Sequence, residues 1–271
     1  MSAGSFDVFV AKVSSDGNTV LWAKRHGGTG ADYMTALAVD SAVDVATAGY
    51  FSGSIDLGGG GQSAGGSTDI FVAKYSGVDG SWKWSKVFGA SGSDAAYGIA
   101  TDPRTGNVVV TGAFNGTVDF SNGSSGSGVL VASGSSAIFV ANYTSGGAFA
   151  WAKSFGGQVS GGDIGYGVAV DGNGNVAVTG GCKSSIDFGG GLTMGNGVAA
   201  NFFVAKYSAG GGYLSSKRVN GTWPALGKSV AFDSAGNVFT AGYFGGTIDF
   251  GGGSLSSGPA NQDGLVVGYG P

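Results

Sequence analysis

The chain has 271 residues, of which 58 are glycine, and a formal net charge of −4. Glycine at this level without a Gly-X-Y period excludes collagen, and the regular apolar runs between the glycines exclude simple disorder. The acidic balance excludes a nucleic-acid surface, which needs clustered Lys and Arg. No apolar run approaches the ~18 residues of a membrane span, so no membrane insertion is expected.

A six-residue motif recurs along the chain and marks its repeats. It starts at Asp7 as Asp-Val-Phe-Val-Ala-Lys, returns at Asp69, Ala137 and Asn201, and appears in a degraded form at Asp263. Self-similarity at a fixed period indicates a repeat architecture. The repeats, which we expect to form a single domain over 1–271, run 7–68, 69–136, 137–200 and 201–262, with a partial copy at 263–271.

Each repeat is predicted to hold four strands, which we letter a to d. Strand a is a run of small residues that ends in Asp, as in 36–40. A tight Gly/Asn turn leads to strand b, as in 176–180, since Asn-Gly and Gly-Asn pairs favour hairpins. A Gly/Ser-rich loop leads to strand c, the recurrent motif, and a second turn leads to strand d, which carries Trp22 in the first copy.

The strands are apolar on both faces, as in Val8 to Ala11. In a sheet with one face in water, apolar and polar residues would alternate along each strand. The absence of this alternation indicates that both faces are covered. Blades stacked around an axis do this, and small residues in strand a suit a crowded centre. We therefore predict an all-β fold, a β-propeller of four four-stranded blades. A β-sandwich is the rival, but it gives no reason for four near-equal units.

The repeats resemble the SBBP repeat of bacterial β-propellers. The third unit carries the resemblance from Asp163 through Asp171, Gly174-Asn175 and Thr179-Gly180 to the motif that starts at Asn201. The resemblance covers residues 7–262 and implies a propeller in a bacterial secreted or surface protein, although the family is named for seven blades. It implies no catalytic residues.

Ring closure follows from the order of the strands. The chain starts with strands c and d and ends with a, b and a poor c, so joining the N- and C-terminal strands in one blade would close the ring. One strand c is then surplus. We predict that 6–14 lies beside the last strand b, because it keeps the whole motif, and that 263–271 is peripheral, disordered or paired with another chain. The expected state is a monomer, with a strand-exchanged oligomer as the alternative.

Three aspartates at one repeated position are candidate metal ligands. Asp32, Asp94 and Asp163 each precede a strand a, where three carboxylates could face one mouth of a channel and hold Ca²⁺. The alternative is a side-chain bond within each turn, repeated because the turn is repeated. No other cofactor is expected.

The aromatic residues supply the candidate ligand contacts. The candidates that could stack on a sugar or contact a protein are Trp82, Tyr97, Tyr166, Tyr213 and Trp223. With one His and one Cys, no Ser-His-Asp, Cys-His or His-based zinc site can be argued. The sequence thus predicts a non-enzymatic module that binds a glycan or protein, or serves as a spacer. The alternative is a hydrolase that uses Asp carboxylates at the channel mouth.

Overall fold

The computed structural model describes residues 4–123, 128–157, 162–183, 185–195, 200–258 and 261–270. These residues form strands and no helix, and so they contain no helix long and apolar enough to cross a membrane. In chain order the strands are β1 (Val8–Val13), β2 (Val20–His26), β3 (Asp32–Val39), β4 (Val45–Phe51), β5 (Ser54–Asp56), β6 (Gly61–Ser63), β7 (Asp69–Tyr75), β8 (Trp82–Phe88), β9 (Ala95–Thr101), β10 (Val108–Phe114), β11 (Thr117–Asp119), β12 (Val129–Val131), β13 (Ala137–Tyr143), β14 (Phe149–Phe155), β15 (Ile164–Val170), β16 (Val176–Cys182), β17 (Ile186–Asp187), β18 (Leu192–Thr193), β19 (Asn201–Tyr207), β20 (Tyr213–Val219), β21 (Ala225–Phe232), β22 (Val238–Gly245), β23 (Thr247–Asp249), β24 (Ser254–Ser256) and β25 (Gln262–Tyr269).

The strands form antiparallel sheets in the predicted order a-b-c-d. Sheet 1 is β3-β4-β7-β8, sheet 2 is β9-β10-β13-β14 and sheet 3 is β15-β16-β19-β20. Sheet 4 has three strands, β21-β22-β25, and the N-terminal hairpin β1-β2 supplies only strands c and d. The Gly/Ser-rich b–c loops fold into the small hairpins β5-β6, β11-β12, β17-β18 and β23-β24.

The described strands differ from the predicted four four-stranded blades at the two ends of the chain. β25 pairs with β22 from Gln262 to Tyr269, whereas β1 pairs with β2 alone. The prediction that 6–14 lies beside the last strand b is therefore wrong, because β25 holds that place. Among the described residues, no strand pairing joins the N-terminal hairpin to sheet 4. The strand that follows β22 more closely in the chain thus pairs with it, although β1 matches the repeated motif better.

The core lies between successive sheets. Alternate residues of each strand point forward to the next sheet or backward to the previous one, as predicted for strands that are apolar on both faces. One cluster joins Ala46 and Val72 of sheet 1 to Ile99 and Phe139 of sheet 2. Equivalent clusters join sheet 2 to sheet 3, sheet 3 to sheet 4, and the N-terminal hairpin to sheet 1. The innermost strands β3, β9, β15 and β21 contact one another in that order.

The Trp of strand d ties each sheet to the next. Its indole Nε1 donates a hydrogen bond to a carbonyl oxygen in or beside the next c–d turn. The pairs are Trp22 to Gly77 at 3.3 Å, Trp84 to Ser145 at 3.0 Å and Trp151 to Ala209 at 2.9 Å. In the fourth copy Ser215 replaces Trp, and the described part of sheet 4 has no strand d and hence no c–d turn to receive an indole. A cavity of about 180 Å³ lies there instead, between Ser215 and Tyr269.

The Trp84→Phe substitution is expected to lower the free energy of unfolding by about 2 kcal/mol or more. The smaller ring leaves a gap in the core cluster that Trp84 fills, and the carbonyl of Ser145 loses a hydrogen-bond donor. Urea denaturation followed by circular dichroism measures the difference. The matched control is Trp82→Phe, two residues away. Its indole donates to the hydroxyl of Ser85 at the surface, so we expect almost no change; equal losses in the two variants would contradict the assigned role of Trp84.

Candidate functional site

Each innermost strand contains one β-bulge, and the bulges fall at one position of the repeat. The bulged residues, which lie where the pairing with strand b shifts register, are Thr35, Tyr97, Tyr166 and Lys228. A bulge redirects a side chain away from the regular alternation of the strand, and bulges often occur beside functional sites. The repeat therefore places four variable side chains at equivalent points of four neighbouring strands.

These bulges border a continuous line of rings, which we call the aromatic row. It consists of Phe6, Tyr33, Tyr50, Tyr97, Tyr166 and Tyr243, together with the ammonium group of Lys228. Successive ring centroids are 5.7 Å apart for Phe6–Tyr33, 5.0 Å for Tyr33–Tyr50, 6.4 Å for Tyr50–Tyr97 and 5.5 Å for Tyr97–Tyr166. These spacings are those of interacting aromatic pairs. The row runs across all four sheets.

Lys228 places a positive charge in the row near Tyr166 and Tyr243. Its Nζ lies 3.3 Å from the ring centroid of Tyr166 and 5.8 Å from that of Tyr243, which is cation–π geometry. Burial lowers the pKa of Lys228. Burial also raises the pKa of Tyr97 and of Tyr166, so both hydroxyls stay neutral in neutral solution and can donate hydrogen bonds.

The structure brings together two of the five predicted ligand residues, Tyr97 and Tyr166, both in the aromatic row. Trp82 and Tyr213 begin the outermost strands β8 and β20, where each ring covers a glycine-rich corner of its own sheet. The Tyr213 hydroxyl lies 3.1 Å from that of Ser216. Trp223 is exposed beside Gly245 and Gly246, in the segment before β21.

Sequence reasoning missed Phe6, Tyr33, Tyr50, Tyr243 and Lys228 as members of the row. A signal was present for Lys228, which occupies the same repeat position as Tyr97 and Tyr166. It lies three residues after Ala225, just as Tyr97 lies three residues after Asp94. Lys228 would have been found by comparing the residues that the four repeats carry at this position, instead of selecting the aromatic residues that lie outside the repeated motif. Tyr33 and Tyr50 are paired across β3 and β4, which only the register shows.

Each of the three candidate metal ligands accepts a backbone N–H group from the segment just before it, and Asp94 and Asp163 also accept one from the segment after strand b. Asp94 accepts N–H groups from Ala90 at 2.8 Å and Asn115 at 2.7 Å. Asp163 accepts from Gly157 at 3.2 Å and Lys183 at 2.8 Å. In the same way Asp32 accepts the N–H of Gly28 at 3.0 Å. Within the described ranges, no group of three or more His, Cys, Asp and Glu side chains is placed to hold a metal ion.

Calcium binding at Asp32, Asp94 and Asp163 stays a prediction. The second carboxylate oxygen of Asp32 is buried without a hydrogen-bond partner, and an oxygen of this kind suits a hard cation. If these residues bind Ca²⁺, chelator lowers the melting temperature, because a ligand of the native state stabilises it by mass action. The same melting curve in millimolar calcium and in chelator would remove the prediction.

Most other aspartates also serve turns. At the corner after strand b, Asp56 accepts the N–H groups of Gly58 and Gly60, and Asp187 does the same for Gly189 and Gly191. The repeated Asp at this corner therefore orders a glycine-rich loop by accepting its backbone N–H groups.

Asp94 and a second carboxylate near it, Asp69, are buried between sheets 1 and 2. Burial raises the pKa of both, and the charge of Asp69 adds to the rise at Asp94. Neither is exposed to solvent, so the pair offers no surface to a substrate.

The one histidine and the one cysteine are packing residues. The His26 ring stacks on Tyr75 with centroids 4.8 Å apart, and burial lowers its pKa. Cys182 is buried, and burial raises the pKa of its thiol to about 12. A thiol with such a pKa is not a nucleophile at neutral pH.

Comparisons with known proteins leave the family open. No protein-family model matches the chain, and no curated protein matches it. The chain is similar to a crystal structure of a protein of unknown function from Bacteroides caccae, with 12% sequence identity and a TM-score of 0.43. That similarity covers 95% of this chain and 71% of the other chain.

Proposed function

We propose that the chain is a non-enzymatic binding module made of successive β-propeller blades, and that the aromatic row is its ligand surface. The sheets run a-b-c-d and pack face to face through their small inner strands, which is the arrangement of blades. In this proposal the N-terminal hairpin and sheet 4 are the two incomplete blades at which the ring closes.

The observation that carries the binding function is the row itself. Tyrosine offers a large apolar ring with a polar tip, and it immobilises few rotatable bonds on binding. Tyr33 is well exposed and Tyr97 and Tyr166 are half-buried, so a ligand can reach their rings. The ligand we propose is a glycan chain whose sugar rings stack along the row, or an extended segment of protein.

The aspartates support a binding role over a hydrolase. Hydrolysis of a glycosidic bond needs two accessible carboxyl groups about 5–10 Å apart. The carboxylates at the predicted channel mouth instead accept backbone N–H groups, as Asp94 does from Ala90 and Asn115 and Asp163 does from Lys183.

The Tyr97→Ala and Tyr166→Ala substitutions are each expected to weaken ligand binding about thirtyfold. Loss of a central tyrosine contact typically costs ~2 kcal/mol of binding free energy. A glycan array, run with and without calcium, identifies the ligand, and calorimetry measures its affinity for each variant.

The control for this prediction is Tyr213→Ala. It removes the same side chain from the outermost strand β20, where the ring covers its own loop. We expect unchanged affinity. If Tyr213→Ala weakens binding and the two variants in the row do not, the ligand surface lies on the outer strands and the proposal is wrong.

A further inference from the structure

The two ends of the stack expose strand positions that the interior sheets bury. On β3, at the N-terminal end, Leu37 is 52% exposed, whereas the equivalent Ile99, Val168 and Val230 are each 8% exposed. The exposed side of Leu37 borders an open groove of about 440 Å³ between β1 and β3. This groove occupies the place that strands a and b of a complete preceding sheet would fill.

The C-terminal end shows the complementary pattern. On β22, Phe239 is 42% exposed, whereas its equivalents Ala46, Val109 and Ala177 are at most 1% exposed. Phe239 is also a much larger side chain than the two alanines. The forward face of sheet 4 therefore lacks the covering that the forward faces of sheets 1 to 3 receive.

Leu37 and Phe239 occupy positions that meet at each interior interface. Three core clusters each contain one residue of each position: Ile99 with Ala46, Val168 with Val109, and Val230 with Ala177. The exposed ends of the stack are thus the two halves of an interface that the chain already forms three times. What covers these positions inside the stack is another sheet of the same repeat.

The unpaired strands complement each other in the same way. The N-terminal hairpin supplies strands c and d and lacks a and b, while β21 and β22 supply a and b and lack a strand d. β25 fills the place of strand c with a degraded motif, in which Leu265 and Gly268 replace the Phe and Lys of the other copies. Its Val266 lies on the same uncovered forward face as Phe239 and is 76% exposed, against at most 6% for the equivalent Val72, Val140 and Val204.

We propose that the partner of these ends is a second copy of this chain. The N-terminal hairpin of one copy pairs with β22 of the other copy in place of β25, and Phe239 of that copy covers Leu37. Within one chain the four sheets leave Leu37 and Phe239 both exposed. A second copy supplies the strands that each end lacks, c and d beside β22 and a and b beside the N-terminal hairpin.

The contact is head-to-tail, and such a contact forms a closed ring when the rotation from one copy to the next returns to the start. The ring in this proposal has two copies, each using both of its ends. Such a ring contains the three four-stranded sheets of each chain and two shared sheets. The total of eight is within the ~4–8 blades of known propellers. An exposed strand edge, here the free edge of β1, favours such pairing between chains.

Light scattering on the full chain tests the proposal. The expected mass is that of two chains, and Leu37→Asp or Phe239→Asp should halve it while the far-ultraviolet circular dichroism stays unchanged. Both side chains are exposed in a single copy, so the charged variants should still fold. The matched control is Val78→Asp, in the β7–β8 turn, where an 83% exposed valine should be replaced without loss of the dimer. A wild-type mass of one chain, or a dimer that survives both end substitutions, overturns the proposal.

Cross-linking separates exchange between chains from closure within one chain. Chains with Leu37→Cys are mixed with chains with Phe239→Cys under mild oxidation, and native Cys182 stays inert because it is buried. We expect a disulfide-linked dimer that contains one chain of each variant. If instead the double variant forms its disulfide within a single monomeric chain, the ring closes on itself and the proposal is wrong.

Discussion

The Asp40→Ala substitution is expected to lower the free energy of unfolding by about 3–5 kcal/mol, because it leaves a buried lysine without its counter-ion. Lys74 Nζ lies 2.7 Å from Asp40 Oδ2, and the two side chains are 1% and 2% exposed. Lys74 also donates to the carbonyl oxygens of Gly106 at 3.2 Å and Ser145 at 3.3 Å, both in sheet 2. The lost charge therefore weakens an interface between sheets, and urea denaturation at pH 7 measures the loss.

The stability that Asp40 contributes should decrease as the pH falls. Burial acts to raise the pKa of Asp40, but hydrogen bonds from Lys74 and from the backbone of Asp44 and Ala42 outweigh it, and the pKa is lowered. A carboxyl group whose pKa is lowered by folding stabilises the protein above its unfolded pKa of about 3.9 and loses that effect as the pH falls. The gap between wild type and Asp40→Ala should therefore narrow below about pH 4.

The control for Asp40 is a half-exposed ion pair at the equivalent turn of sheet 2. Arg104 Nη2 lies 3.7 Å from Asp102 Oδ2, and the arginine side chain is 53% exposed whereas that of the aspartate is 7% exposed. Arg104 also donates to the carbonyl oxygen of Asn173 at 2.9 Å. A pair with its cation in water contributes about 0–1 kcal/mol and a hydrogen bond about 1 kcal/mol, so Arg104→Ala should cost less than Asp40→Ala. A loss at Asp40 no larger than that at Arg104 would contradict the role assigned to the buried pair.

The repeat predicted the interior of the fold well, because each strand has the same neighbours in every sheet. The order a-b-c-d, the turns after Asp40 and Asp171, and the apolar character of both faces all follow from local pattern. The termini were harder to predict because two strands with the same motif compete for one place. The better motif at 6–14 did not decide that competition, since β25 pairs with β22 instead.

The candidate site shows a different limit. Sequence alone marked Tyr97 and Tyr166 but could not place them beside Tyr50 or Tyr243, because those contacts depend on the register between strands a and b. The bulge that presents Tyr97 is marked in the sequence only indirectly, by a glycine that all four repeats have in strand b. A substitution of that glycine should therefore disturb the bulge.

The Gly112→Ala substitution is expected to cost about 3 kcal/mol of stability and to displace Tyr97 from the aromatic row. A Cβ on Gly112 would lie 2.0 Å from the carbonyl oxygen of Ala95 and 2.8 Å from the Cα of Ala96, beside the bulge at Tyr97. These are backbone atoms, so strand a itself must move, and overpacking of this kind costs ~1–3 kcal/mol or more. The equivalent glycines of the other three copies face a carbonyl oxygen at 1.9–2.0 Å in the same way.

Two measurements and one control separate the parts of this prediction. Urea denaturation gives the loss of stability, and ligand affinity at a temperature where the variant is folded reports the position of Tyr97. The control is Gly172→Ala in the a–b turn of sheet 3, where a Cβ would meet nothing within 4 Å. It should leave both stability and affinity unchanged. If Gly112→Ala proves as mild as Gly172→Ala, strand a adapts easily, and the glycine of strand b is not what holds the bulge and its tyrosine in place.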